Sequence, residues 1–330
     1  VNLSMPEGDS VALCGESGSG KTTILRLIAG FERVQTGSVS IQGSVLASPG
    51  YHMPPALRGM GMLFQDDALF PHVSVGDNVG FGLPESSRLS RVLDRTSHLR
   101  RTSRISEMLE LVGMAGYEHR MPHELSGGQR QRVALARALA PAPSVLLMDE
   151  PFTNLDPALR RRITADVRRI LRDAGVMVLV VTHEAETAFS LADHILFLRD
   201  GRPVQYGTPL QLYHQPVDGD VAELFGKVNL LPAEDGTIMV RPEDFTVFKD
   251  SHSARSRPGA TRGQVVDVVS WGKHLELKVE ANTKSGCQCV FAHAAAAAQF
   301  SPGDTVVLVP QNCEGGCVPL LHRQGRSGSR

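Results

Sequence analysis

Short unbroken apolar runs alternate with amphipathic stretches over much of the chain. Ser10–Cys14, Val145–Met148 and Val176–Val181 show no polar alternation, whereas Lys21–Gly30 sets Ile24, Leu25, Leu27 and Ile28 at helical spacing. Continuous apolar runs suit strands buried on both faces, so the pattern predicts a mainly parallel sheet flanked by helices. Between about Asp66 and Leu139 the pattern turns helical, clearest over Arg91–Val112, which predicts a helical insertion at 66–139. From Gly226 the texture becomes short β-rich runs, Gly263–Ser270, His274–Val279 and Thr305–Val309, between Gly and Pro turns. The predicted layout is an α/β domain over 1–225, a small all-β domain over 226–322 and a polar tail over 323–330. Ser251–Arg262 reads as a basic loop and Ala294–Ala298 as a short helix.

Composition narrows this picture without redirecting it. With 330 residues, 42% hydrophobic and 21% charged, the chain has material for two ordinary globular domains. Its net charge of −1 provides no global field toward nucleic acid or lipid, and its apolar runs fall short of the roughly 18 residues that would suggest a membrane span. Five cysteines, an odd number, with no export leader ahead of them, suggest a reducing compartment.

The chemistry lies where strands end. Gly15, Glu16, Ser17, Gly18, Ser19, Gly20, Lys21 and Thr22 form G-x-x-x-x-G-K-T between a predicted strand and helix, with Thr23 next in the helix. Such a loop turns backbone N–H groups toward phosphate oxygens, Lys21 adds a full positive charge, and the Thr22 hydroxyl suits Mg²⁺. The second strand ends in Asp149 and Glu150, one carboxylate for the Mg²⁺ shell and one to polarise a water. The third ends in Thr182 and His183. A Ser-Gly-Gly helix start in Leu125-Ser126-Gly127-Gly128-Gln129 offers a second anion-binding end, and Ser126 is also a plain N-cap candidate.

With these motifs the chain resembles ABC transporter ATPases over essentially its whole length, LSGGQ being their signature. The resemblance implies a RecA-like P-loop domain with an OB-like (TOBE) tail, supported by Val240-Arg241-Pro242-Glu243. It implies MgATP as the bound nucleotide, Glu150 as catalytic base and His183 as the switch histidine. Gln65 matches the γ-phosphate-sensing loop that couples to the transporter and ligates Mg²⁺ with Thr22 and Asp149, and Asp156 matches the loop between two ATP sites. The implied partners are a second copy, whose Ser126–Gln129 completes each ATP site, two integral-membrane permease subunits, and a periplasmic or lipoprotein solute-binding protein. The implied location is the cytoplasmic face of a bacterial inner membrane. Asp149-Glu150-Pro151-Phe152 with Asn154-Leu155-Asp156 leans toward ferric-iron importers, while sulfate, thiamine and polyamine importers stay open. Members carry an adenine-stacking aromatic on an earlier strand, and Val1–Cys14 holds no aromatic, so the family's first strands are expected to be missing.

ABC ATPases that act on nucleic acid are the rival class, but one P-loop and the short interval from Gln65 to Leu125 fit neither their long coiled coils nor their paired cassettes. No nucleic-acid partner is expected. A module that binds ATP without hydrolysing it would not need Glu150 and His183. Cys287, Cys289, Cys313 and Cys317 form C-x-C and C-x-x-x-C near His274, His293 and His322, open to zinc or iron–sulfur binding or to ordinary structural use.

Overall fold

Buried strands and the helices between them build the first of the two units into which the chain divides, Val1–Pro209; the second is Leu210–Arg330. The computed structural model describes residues 1–64, 68–83, 95–153, 156–233, 236–283, 286–311 and 318–319.

The first unit runs β1 (Ser10–Cys14), α1 (Lys21–Ala29), β2 (Val39–Ile41), β3 (Ser44–Ser48), β4 (Tyr51–His52), β5 (Met60–Leu63), α2 (Val75–Gly80), α3 (Arg95–Leu111) and α4 (Gly127–Leu139). It continues through β6 (Val145–Asp149), α5 (Pro157–Ala174), β7 (Met177–Val181), α6 (Ala185–Leu191), β8 (His194–Arg199) and β9 (Arg202–Gly207). The main sheet has the order β5-β6-β7-β1-β8-β9, parallel except for β9. Leu13 lies between Val181 and Leu196, which sets the C-terminal ends of β7, β1 and β8 side by side. The core contains Val11, Leu13, Leu25, Leu147, Leu179 and Leu198, all buried. Burial pushes the Cys14 thiol up to about 12, which leaves it an inert packing residue.

The helices α2, α3 and α4 lie between β5 and β6 in the chain. Arg95–Leu111 is the described part of the helix expected at Arg91–Val112, and residues 91–94 lie outside the described residues. The small antiparallel sheet β2-β3-β4 adds to the expected layout.

Two buried polar side chains hold this unit's loops. Arg58, 3% exposed, donates to the Leu27, Ile28 and Met53 carbonyls at 2.7–2.9 Å, satisfying the C-terminal end of α1. Asn78, fully buried, accepts from the Phe70 N–H and donates to the Phe70, Val73 and Ser74 carbonyls.

The second unit contains α7 (Pro209–His214), α8 (Gly219–Leu224), β10 (Asn229–Ala233), β11 (Gly236–Val240), β12 (Phe245–Lys249), α9 (His252–Arg255), β13 (Thr261–Ser270), β14 (His274–Thr283), β15 (Gly286–Ala295), β16 (Thr305–Pro310) and β17 (Val318–Pro319). Its sheets, β12-β16-β13-β14-β15 and β10-β11-β17, are antiparallel. The sequence pattern places the domain boundary after residue 225, whereas the units divide after Pro209. Arg241 donates to the Tyr213 and Ala222 carbonyls and lies 3.9 Å from the Tyr213 ring centroid, fastening both short helices to the end of β11.

Two local expectations fail. Ala294 pairs with Leu275 and Ala295 with His274, so the alanine run begins as strand. A ten-residue ladder and Ala294's packing against the core outweigh alanine's helix propensity. Within Ser251–Arg262, Ser251 caps the short helix α9 and Arg255 pairs with Asp250, so that stretch is not simply a loop.

Asn229 joins the two sheets of this unit. Its carboxamide donates to the Val240 and Phe291 carbonyls at 3.1 and 2.8 Å and accepts from the Phe291 N–H at 2.7 Å. Leaving a buried group unsatisfied costs about 1–3 kcal/mol. We expect Asn229→Leu to destabilise the chain by at least that free energy in urea unfolding; a wild-type midpoint would show that the amide carries no stability.

Candidate active site

The site begins where β1 runs out of space. A side chain at Gly15 would start 2.1 Å from the Leu198 carbonyl oxygen, and Gly15 has φ +141°, so glycine alone turns the chain there. The loop then wraps around Lys21, which is 7% exposed and donates to the Gly15 and Glu16 carbonyls at 2.9 and 2.7 Å and to Ser19 Oγ at 3.4 Å. Gly20, in the left-handed region, lets α1 start at Lys21. The Gly201 N–H donates to the Ser19 carbonyl, fixing the far side of the loop to the β8–β9 turn. Burial draws the Lys21 ammonium below the ordinary lysine range, against the pull of Glu150, Cys14 and Asp149. A half-dried ammonium beside N–H groups at a helix start suits phosphate.

Thr22 Oγ1 lies 3.4 Å from Asp149 Oδ1. A hydroxyl and a carboxylate at one point beside the phosphate loop form an all-oxygen pair that fits Mg²⁺, which takes few protein ligands and keeps its waters. Burial raises Asp149 above the usual carboxylate range, with the Thr22 hydrogen bond opposing it. A bound cation would relieve that cost.

Glu150 has φ +45°, a conformation unfavourable for a non-glycine residue. Its N–H donates to the Val181 carbonyl, the Thr153 hydroxyl donates to its carbonyl, and its Oε1 lies 3.2 Å from His183 Nδ1. Residues that look unremarkable in sequence support this turn. Gln131 of α4, 5% exposed, donates to the Pro151 carbonyl at 2.9 Å. Arg160 of α5 donates to the Phe152 and Thr153 carbonyls and pairs with Glu184 at 2.5 Å. Arg160 sits in the run Arg160-Arg161-Arg162, which reads as a solvated charged face, and no sequence signal separates Gln131 from a surface residue.

Ser126 caps α4. Its Oγ accepts from the Gln129 N–H, Gln129 Oε1 accepts from the Ser126 N–H, and Gln129 Nε2 donates to Tyr117 Oη. Gly127 follows as the first residue of the helix, and a side chain on Gly128 would meet Ile163 Cδ1 at 2.8 Å, so that glycine lets α4 lie against α5. Ser126 is exposed, and its hydroxyl, accepting in the cap, keeps a hydrogen to donate. Its cap partners are local, while those of the phosphate loop run to the β8–β9 turn. Asp156 caps α5, accepting from the Ala158 and Leu159 N–H groups. Gln65, Asn154 and Leu155 lie outside the described residues.

Cys287 and Cys289 are exposed, unbridged thiols on β15, and Cys313, Cys317 and His322 lie outside the described residues. Among the described residues no three His, Cys, Asp or Glu side chains are placed to hold a metal ion together. Nor is any helix among them long and apolar enough to cross a membrane.

A family model described as ABC transporter matches residues 1–153, and one described as TOBE domain matches 238–313. The chain is 42% identical over 286 residues to a Pseudomonas fluorescens protein named Fe(3+) ions import ATP-binding protein FbpC, covering 79% of this chain and 78% of that one. It is 39% identical to a Rhodococcus jostii protein named Fe(3+) ions import ATP-binding protein FbpC 1, over 93% and 90% of the two chains. A solved structure described as the dimeric post-hydrolysis state of an ATP-binding cassette bound to ADP and Pi matches with TM-score 0.51 and 29% identity, over 63% of this chain and 89% of that one. The cbiO1 structure from Clostridium perfringens, described as part of the cbiONQ complex, shares the fold at TM-score 0.56 and 24% identity, over 65% and 83%.

Removing a general base costs about 10²–10⁴-fold in rate. We expect Glu150→Gln to lose hydrolysis by a factor in that range while nucleotide titration stays near wild type. Near-normal turnover would remove Glu150 from the role of base.

Proposed function

Because the chain belongs to the ABC transporter ATP-binding proteins that carry a C-terminal TOBE domain, we propose that it is the motor subunit of a ferric-iron importer. Its ATPase chemistry rests on one observation above the others: the phosphate loop, the Asp149–Glu150 pair and His183 end neighbouring strands of one sheet. The cargo rests on the relatives named as Fe(3+) import proteins.

Lys21 exchanges its carbonyl partners for phosphate oxygens of ATP. Thr22 and Asp149 would hold Mg²⁺, with Gln65 as a further ligand, and the ion supplies positive charge to the phosphoryl oxygens. Glu150 orients a water against the γ-phosphorus and takes its proton. The water oxygen bonds to phosphorus, the bond to the β–γ bridging oxygen breaks, and ADP and phosphate leave. His183 holds the Glu150 carboxylate in place. Because catalysis here is mostly positioning and charge, the strained backbone at Glu150 serves to aim the carboxylate.

Ser126, Gly127, Gly128 and Gln129 act on ATP held by a second copy. The Ser126 hydroxyl donates to the γ-phosphate, and Asp156 lies in the loop that connects the two sites. Two integral-membrane permease subunits take up the closing motion, and a periplasmic or lipoprotein solute-binding protein delivers the cargo. The working location is the cytoplasmic face of the inner membrane.

Two measurements test this reading. Lys21→Ala and Ser126→Arg should each abolish ATP hydrolysis, while their mixture should recover activity, since the mixed pair keeps one site with an intact loop and an intact Ser126 helix end. No recovery from a mixture shown to form mixed pairs would place both motifs in one chain's site. In cells, deleting the gene should slow ferric-iron uptake and spare sulfate, thiamine and polyamine uptake; loss of one of those instead would reassign the cargo.

A further inference from the structure

Two imidazoles come together in the second unit on neighbouring strands. In the β14–β15 ladder His293 is opposite Glu276 and His274 is opposite Ala295, which makes the two histidines diagonal neighbours. Their ring centroids lie 4.0 Å apart with the planes inclined at 36°. Both residues are half-buried and open to ions from solution.

We propose that His274 and His293 form a two-imidazole site for a divalent transition-metal ion, with Glu243 and Glu276 as its carboxylate neighbours. Imidazole nitrogen is a preferred ligand for such ions. Glu243 Oε2 lies 3.8 Å from His293 Nδ1. That separation is longer than a hydrogen bond, so Glu243, which also accepts from the Tyr213 hydroxyl, is a charged neighbour of the ring and not its fixed partner. Glu276 pairs with Lys227 at 2.7 Å, and Glu243 lies near the Arg241 guanidinium, so each carboxylate has a cationic neighbour and the imidazoles are the donors left for the ion.

The site is open, and it is separate from the cysteines. Since no three-donor group is assembled among the described residues, water completes the coordination sphere and the ion exchanges. Cys289 precedes His293 by four residues on the same strand, roughly 13 Å at strand rise, beyond the reach of one ion. Mg²⁺ is a hard ion that prefers oxygen, so the Thr22–Asp149 pair would hold it in preference to the imidazoles.

The test uses the full chain, stripped with chelator and returned to buffer with excess Mg²⁺, and titrated calorimetrically with Zn²⁺ and Ni²⁺. One saturable event is expected. His274→Ala and His293→Ala should each weaken it about tenfold or more, and a Cys287→Ser, Cys289→Ser double variant should leave it unchanged. Histidine-labelled NMR of the unsubstituted chain locates the ion independently of any variant: the His274 and His293 ring signals should move, out of the 12 histidines. Absence of saturable binding, wild-type binding by both His variants, or movement confined to other histidines would overturn the proposal. Mg²⁺-dependent ATP hydrolysis, measured in parallel, should be unaffected by His274→Ala, so failure of the metal site and failure of the motor reading are distinguishable.

Discussion

The first unit depends on a space that admits no side chain. Gly15 lies against the Leu198 carbonyl, so β1 ends there and the chain must fold back around Lys21. That reversal starts α1, whose other end Arg58 satisfies through two carbonyls, and Leu25 returns from α1 to the sheet core. The loop is therefore held by its surroundings before any nucleotide arrives. Its ammonium has already lost much of its water, so part of the desolvation cost of gripping phosphate is met during folding.

A second constraint is the turn after β6. Glu150 adopts an unfavourable backbone conformation, and three separate elements hold the segment around it: β7 through Val181, α4 through Gln131 and α5 through Arg160. Because Gln131 belongs to the helix that Ser126 caps, that helix end and the turn at Glu150 are mechanically joined. Under the proposed pairing of two copies, a contact made at Ser126 would have a short physical route to the chain's own Glu150 carboxylate.

The parts legible in sequence are those where chemistry restricts residue type. A phosphate loop needs its glycines and lysine, and a strand ending in two carboxylates needs a cation or a water to act on. A run such as Val176–Val181 has no use other than burial, and Met177, Val178, Leu179, Val180 and Val181 form β7 as expected. What escapes depends on register and long-range partners. Ala294 and Ala295 become strand because β14 is available to pair with them, and nothing in the run itself announces β14. Gln131, Arg160 and Asn229 look like ordinary polar residues until distant carbonyls come within reach. In sequence His274 and His293 stand out only as neighbours of cysteines, yet it is the ladder that brings them to each other.

Asn229 has a consequence for how the second unit behaves in company. In the order β12-β16-β13-β14-β15 the last strand has, among the described residues, no strand on its outer flank, the kind of ladder onto which another chain can add one. The Asn229 carboxamide engages that flank at Phe291 as a peptide group would, offering one donor and one acceptor in register. A single side chain thereby occupies the Phe291 rung of that ladder, so a foreign strand could add there only by displacing it.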